Sequence, residues 1–321
     1  MRVAENLNAA LHGVLGDDPD AYLLGEDILD PYGGAFKITR GLSERFPGRV
    51  LGTPISENAI TGIATGLALA GDTAIVEIMF ADFVALAFDQ IYNCASKSVT
   101  MFGSRVPMRL VVRCPSGGGR GYGPTHSQSP MKHFIGMPGL ALYEMSPLHD
   151  NRAVFAEMLG RAQPCLFFED KVLYTRRMYD VPAPFRWEAE GGVARVWLDE
   201  RPDCVIVAPG GMVPRALEAM RSLLLESEIS CTLVVPSRLY PFTADVPAAR
   251  AVVVVEESTA GGTWGSEVAQ VLHRRLWGSL RRPVTQVSSR DSVIPAAAHL
   301  EREVIVDAGD IREAVKGALR D

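Results

Sequence analysis

Apolar positions recur along this chain with two alternating periods. In residues 3–15, Val3, Leu7, Ala10, Leu11 and Val14 fall at helical spacing, and Gly16-Asp17-Asp18-Pro19 supplies the stop. Residues 21–25 then read as a short strand, and Glu26-Asp27 as the acidic turn after it. Glycines and aromatics in Tyr32-Gly33-Gly34-Ala35-Phe36 predict a loop ahead of a polar helix reaching Phe46. Residues 49–55 predict a strand ended by a proline turn, with Ser56 and Asn58 as helix-start residues for a helix over 59–70.

Further on, Ala74-Ile75-Val76-Glu77-Ile78-Met79 is mostly apolar, the continuous pattern of a buried parallel strand. A helix over 85–98 and strands over 109–113, 143–147 and 165–169 follow, with a helix over 151–162 between the last two. Prolines and a glycine pair interrupt a polar stretch in residues 181–192. Beyond it, strands over 203–208, 231–235 and 251–256 alternate with helices over 214–227 and after Gly261-Gly262. The pattern predicts an α/β protein of two parallel-sheet domains, residues 1–180 and 201–321, joined by a linker over 181–200.

Composition narrows the class. The 321 residues, 47% hydrophobic and 22% charged, suffice for two buried cores in a soluble globular chain. A net charge of -6 gives no basic footprint for nucleic acid, and Arg274-Arg275 and Arg281-Arg282 read as solvated helix-end or loop clusters. Five widely spaced cysteines without a CxxC pair suit a reducing compartment. No run approaches the roughly 18 apolar residues of a membrane span, so a cytoplasmic protein is expected.

The candidate chemistry centres on Glu57. An acid at a strand-to-helix junction lines the ligand crevice of an open α/β sheet, although a first-turn acid is also favoured by the helix dipole alone. Gly62 and Gly66 stand four apart in the same helix, where each costs about 1 kcal/mol relative to alanine. Close approach of another helix explains them, as ordinary packing within the domain or as a subunit contact. The glycine-rich stretch from Ser116 to His126 invites a phosphate-cradle reading, but it matches neither a P-loop nor a dinucleotide fingerprint. It reads instead as a loop that delivers His126. The other histidines lack metal-ligand spacing, and His133 and His149 are expected at solvated or capping positions.

Several motifs in order, Thr53-Pro54-Ile55-Ser56-Glu57, Glu77-Ile78-Met79-Phe80-Ala81-Asp82-Phe83, Phe88-Asp89-Gln90-Ile91, His126-Ser127-Gln128-Ser129-Pro130 and Pro138-Gly139-Leu140, carry a family resemblance. The chain resembles the beta chain of the thiamine-diphosphate-dependent component of 2-oxoacid dehydrogenase complexes, from Gly25 to about Glu267. The resemblance implies a pyrimidine-binding domain followed by a transketolase C-terminal-like domain. It implies that Glu57 hydrogen-bonds the aminopyrimidine of thiamine diphosphate, that Phe83 stacks on that ring, and that Ile55 and Met79 line the pocket. His126 would orient substrate or shuttle protons during acyl transfer to a lipoyl acceptor. Backbone carbonyls of Leu110, Met158, Leu159, Arg161 and Gln163 match positions that bind a monovalent cation, potassium, in the family.

The family's magnesium motif is Gly-Asp-Gly with a downstream Asn, and this chain has only Gly71-Asp72-Thr73. Magnesium is therefore expected on an alpha subunit, in an alpha2beta2 heterotetramer with a shared active site. Glu256 stands where the common family pattern has a histidine. Two other readings stay open: a two-chain thiamine-dependent acyl or ketol transferase without a lipoyl carrier, and a non-catalytic assembly subunit. The 2-oxo acid and the acyl acceptor are not specified by these motifs.

Overall fold

The computed structural model describes residues 1–320 and divides into two compact units. The first comprises Met1–Ser116, Phe134–Met145 and Asp150–Met178; the second comprises Gly117–His133, Ser146–His149 and Tyr179–Asp321.

In the first unit, six strands are β1 Ala21–Gly25, β2 Val50–Gly52, β3 Thr73–Glu77, β4 Arg109–Ser116, β5 Ala141–Glu144 and β6 Cys165–Asp170. They lie in the order β5-β6-β4-β3-β1-β2 and every pairing among them is parallel. All residues of β3 and β6 are buried, the acids Glu77, Glu169 and Asp170 among them. Helices α1 Val3–Asp17, α2 Leu42–Arg45, α3 Glu57–Ala70, α4 Ser96–Ser98 and α5 Asn151–Gly160 complete the unit. Leu7, Leu11 and Leu15 of α1 pack with Leu23, Ile75, Val111, Phe155 and Phe167 in one core. The α1–α5 contact carries a buried amide lock: Asn6 Oδ1 accepts from Asn151 N–H at 2.8 Å and from its Nδ2 at 2.7 Å.

The helix expected over 85–98 is not one regular helix. A 3-10 segment Ala81–Ala87 leads into a π-helical turn Gln90–Ala95 and then the short α4. Apolar spacing marks a helical face but does not distinguish hydrogen-bond periods, which packing of Val84, Ala87 and Ile91 decides locally.

In the second unit the strands are β7 Arg186–Glu190, β8 Val193–Trp197, β9 Cys204–Val207, β10 Cys231–Pro236, β11 Arg238–Tyr240, β12 Ala251–Thr259 and β13 Thr285–Ser289. Six form a sheet in the order β13-β12-β9-β10-β8-β7. Pairings among β13, β12, β9 and β10 are parallel, whereas β8 is antiparallel to both β10 and β7. The stretch read as a linker thus contains a hairpin turning at Gly191 and Gly192, both with positive φ. Alternation in Val193–Trp197 was the signal for it, with Ala194 and Val196 buried. Helices α6 Val213–Ser227, α7 Trp264–Leu276, α8 Ala298–Val304 and α9 Ala308–Leu319 flank or follow this sheet. Ala216, Met220 and Leu223 of α6 and Ile311 and Val315 of α9 pack on Ile206, Leu233 and Val253.

Candidate active site

The order of the first sheet fixes where its chemistry lies. After β1 the chain runs outward to β2, then returns to place β3 on the other side of β1. The carboxyl ends on either side of such a reversal form the ligand crevice of an open parallel sheet. Gly25, the last residue of β1, pairs with Gly52 of β2 and with Glu77 of β3. A Cβ on Gly25 would stand 3.1 Å from the Glu77 carbonyl oxygen, so glycine lets these strand ends close together.

Each strand end leads to an acidic or apolar side chain. β1 is followed directly by Glu26, β2 by Ile55 and Glu57, and β3 by Met79 and Phe83. Glu57 is the first residue of α3 and is 5% exposed. Ser56 occupies the N-cap position, but its hydroxyl makes no cap hydrogen bond, unlike the expected helix start. Glu26 is equally buried. Desolvation and then the charge of Glu57 raise its carboxyl above the ordinary carboxylate range, against a hydrogen bond from Ser56 N–H. Glu26 Oε1 is buried without a protein partner.

Ile55 is 81% exposed although it is a large apolar side chain, and Met79 and Phe83 are half-buried. Phe83 meets Phe80 edge-on at 6.3 Å between centroids, Phe80 meets Phe36 at 5.7 Å, and Phe36 meets Tyr174 at 5.3 Å. Lys171 Nζ lies 5.6 Å from the Phe80 centroid, within cation–π range. The Tyr174 hydroxyl donates to Glu169 at 2.7 Å, and Glu169 is paired with Arg113, which also holds Glu77. A continuous chain of aromatic and ionic contacts therefore links Phe83 to Glu169, Arg113 and Glu77.

Glu26 and Phe36 had no role in the sequence reading. The signal for Glu26 was its place immediately after a strand; for Phe36, in a loop, no periodic signal existed.

Leu110, Met158, Leu159, Arg161 and Gln163 all belong to the first unit: Leu110 lies in β4, Met158 and Leu159 in the last turn of α5, and Arg161 and Gln163 just after it. Several of these oxygens already accept: Arg161 O from Arg105 Nη2 at 3.1 Å, Met158 O from Arg161 N–H at 3.3 Å, and Gln163 O from Cys165 Sγ at 3.4 Å. Gly62 sits against Gln90 of its own unit, with 3.2 Å between a built Cβ and Gln90 Oε1. Gly66 is exposed and has no neighbour within 4 Å.

His126 belongs to the second unit, half-buried, with its Nδ1 3.0 Å from Thr125 Oγ1. His149, expected at a solvated or capping position, is buried and neither ring nitrogen has a hydrogen-bond partner. Glu256 accepts from Trp264 N–H at 3.2 Å and Gly265 N–H at 2.5 Å, closing the start of α7. Among the described residues no group of three or more His, Cys, Asp or Glu is arranged to hold a metal ion. No helix is long and apolar enough to cross a membrane among the same residues.

A parallel sheet with buried acids at its reversal point, followed by a second α/β unit, is the architecture of transketolase-like chains. Residues 1–176 match the transketolase pyrimidine binding domain and residues 193–311 the transketolase C-terminal domain. The chain belongs to this family and, within it, to the beta subunits of pyruvate and branched-chain 2-oxoacid dehydrogenases taken together. A pyruvate dehydrogenase E1 component subunit beta of Leifsonia xyli subsp. xyli is 33% identical over 98% of this chain and 93% of its own. The 2-oxoisovalerate dehydrogenase subunit beta 2, mitochondrial, of Arabidopsis thaliana is 32% identical over 92% of this chain and 83% of its own. Among solved structures, a split gene transketolase, described as an inactive beta4 tetramer, shares the fold with a TM-score of 0.74. It is 23% identical, covering 99% of this chain and 98% of that one.

Proposed function

We propose that this chain is the beta subunit of a thiamine-diphosphate-dependent 2-oxo acid dehydrogenase that passes an acyl unit to a lipoyl acceptor. It works with an alpha subunit in an alpha2beta2 heterotetramer in the cytoplasm. The observation that carries the reading is Glu57, a buried acid at the sheet's reversal point beside a second buried acid, Glu26.

The residues of the first unit fit the pyrimidine end of the cofactor. Its flat ring needs apolar walls and a buried acid at a ring nitrogen; exposed Ile55 with half-buried Met79 and Phe83 offers the first, Glu57 the second. The orphaned Glu26 Oε1 adds a buried acceptor beside that acid. When bound, thiamine diphosphate supplies a nucleophilic thiazolium carbon that adds to a 2-oxo acid and lets carbon dioxide leave.

Glu57, buried at the start of α3, would place its carboxyl at the ring nitrogen as the acid–base group. Glu26, next to it, is raised above the ordinary carboxylate range by burial and then by the charge of Glu57. Phe83 gives the ring a face, held in place through Phe80 and Phe36. On the second unit His126 orients the substrate or moves a proton during acyl transfer. Magnesium is held by the alpha subunit. A potassium ion at the Leu110, Met158, Leu159, Arg161 and Gln163 carbonyls would stabilise the end of α5, where the helix dipole is negative.

The test is reconstitution with the alpha subunit. Glu57→Gln is expected to lower kcat by about 100-fold or more while the heterotetramer still assembles, the usual scale of a lost acid–base group. Full turnover in Glu57→Gln removes the reading.

A further inference from the structure

The glycine loop of the second unit has a fixed shape. Gly117, Gly119, Gly121 and Gly123 have φ of +84°, +81°, +70° and +77°, a left-handed turn at every second residue. Only glycine adopts such a series without strain. Alternation of this kind turns successive N–H groups toward one side and makes a concavity for an anion.

The anions there are the chain's own. Glu301, near the middle of α8 and 4% exposed, accepts from Gly119 N–H at 2.9 Å and Gly121 N–H at 3.1 Å, one carboxylate oxygen for each. Glu257, near the end of β12, accepts from Gly118 N–H at 2.7 Å and from the Ser129 hydroxyl at 3.3 Å. Its other oxygen is paired with Arg215 at 2.6 Å. The loop also lies tight on α8: a Cβ on Gly118 would come within 2.3 Å of Ile305 Cδ1. Gly117 N–H donates to the Gln128 carbonyl at 3.1 Å and closes the base of the loop. His126 sits between the two anchored ends, residues 118–121 on one side and Ser129 on the other.

We propose that Glu301 and Glu257 are positioning residues that clamp this loop and thereby set the place of His126. The glycines supply the N–H groups, and two buried carboxylates hold them through charge-assisted hydrogen bonds, the stronger kind. Neither acid needs to touch the substrate. The catalytic half of the inference rests on the reading of His126 given above; the clamp itself does not.

Two variants and two measurements separate these parts. Glu301→Ala removes both acceptors, and Glu301→Gln keeps the shape and one of them. Backbone hydrogen exchange of residues 117–125 is measured in the full chain. Turnover and thiamine diphosphate affinity are measured in the heterotetramer, beside His126→Ala. Loop exchange is expected to rise about tenfold or more in Glu301→Ala and less in Glu301→Gln, the scale of a lost hydrogen bond to a charged group. kcat is expected to fall in the same order, with cofactor affinity unchanged. Loop exchange like that of the wild type in Glu301→Ala overturns the clamp and leaves the reading of His126 standing. A faster loop with full turnover in both Glu301→Ala and His126→Ala overturns the role of His126, and with it the positioning role.

Discussion

Arg113 and Glu169 meet through two parallel hydrogen bonds, Nε to Oε1 at 2.7 Å and Nη2 to Oε2 at 2.9 Å, in the fully buried middle of the first sheet. The remaining Arg113 nitrogen, Nη1, reaches Glu77 Oε2 at 2.6 Å. One guanidinium thus serves two carboxylates on the strands to either side of β4. Their charges hold Arg113 protonated despite burial, while burial, opposed by Arg113, raises the Glu77 carboxyl. Glu77 ends the strand that leads to Met79 and Phe83, so the ion network fixes the end of the strand that carries the proposed ring pocket.

Arg113→Met is therefore expected to cost about 3–5 kcal/mol, because it strands two buried carboxylates rather than removing one balanced pair. Urea unfolding of the first unit's transition reads this as a lower midpoint at unchanged slope. Arg113→Lys should fall between, since an ammonium cannot reproduce the planar fork to Glu169. A midpoint equal to wild type in Arg113→Met would mean that the network carries no net stability.

His149 makes stability depend on pH. Burial lowers its folded value from 6.5 to about 4. Above pH 6.5 both folded and unfolded chains hold it neutral. Below that, the unfolded chain takes a proton that the folded chain refuses until about pH 4, so stability drops across this window and its contribution then levels off. At about 1.36 kcal/mol per unit the loss is about 3 kcal/mol. His149→Phe should flatten the stability curve between pH 6.5 and 4; a curve of unchanged slope counts against the assignment.

Gly66 tests the exposed face of α3. Nothing lies within 4 Å of a Cβ built there, so Gly66→Ala should stabilise the isolated chain by about 0.5–1 kcal/mol through helix propensity. Ile63, 56% exposed, lies on the same face one turn earlier. If that face receives a helix of another subunit, the same methyl group should weaken assembly, measured by sedimentation of the reconstituted heterotetramer. A more stable chain that assembles with wild-type affinity would place the subunit contact elsewhere.

Much of this protein is determined by its sequence alone. Unbroken apolar runs such as Ala74-Ile75-Val76 specify buried parallel strands because both faces of such a strand are covered, and Ala21-Tyr22-Leu23-Leu24 and Cys165-Leu166-Phe167-Phe168 follow the same rule. Helical spacing in Val3–Asp17 and Val213–Ser227 is equally legible, since burial of one face repeats every 3.6 residues. Glu57 and His126 stand out because each lies within a run of motif residues. Tertiary structure decided what depends on partners far apart in the chain. Sheet order puts Glu26 beside Glu57, and α8 brings Glu301 to glycines some 180 positions earlier. The β-hairpin of Arg186–Glu190 and Val193–Trp197 was obscured by its glycines and prolines, and it forms as a hairpin on the edge of a sheet that strand β10 makes available. Local periodicity encodes which face of an element is buried; which charged groups meet is encoded only by the path of the whole chain, because burial lets a carboxylate act only where folding supplies its donors.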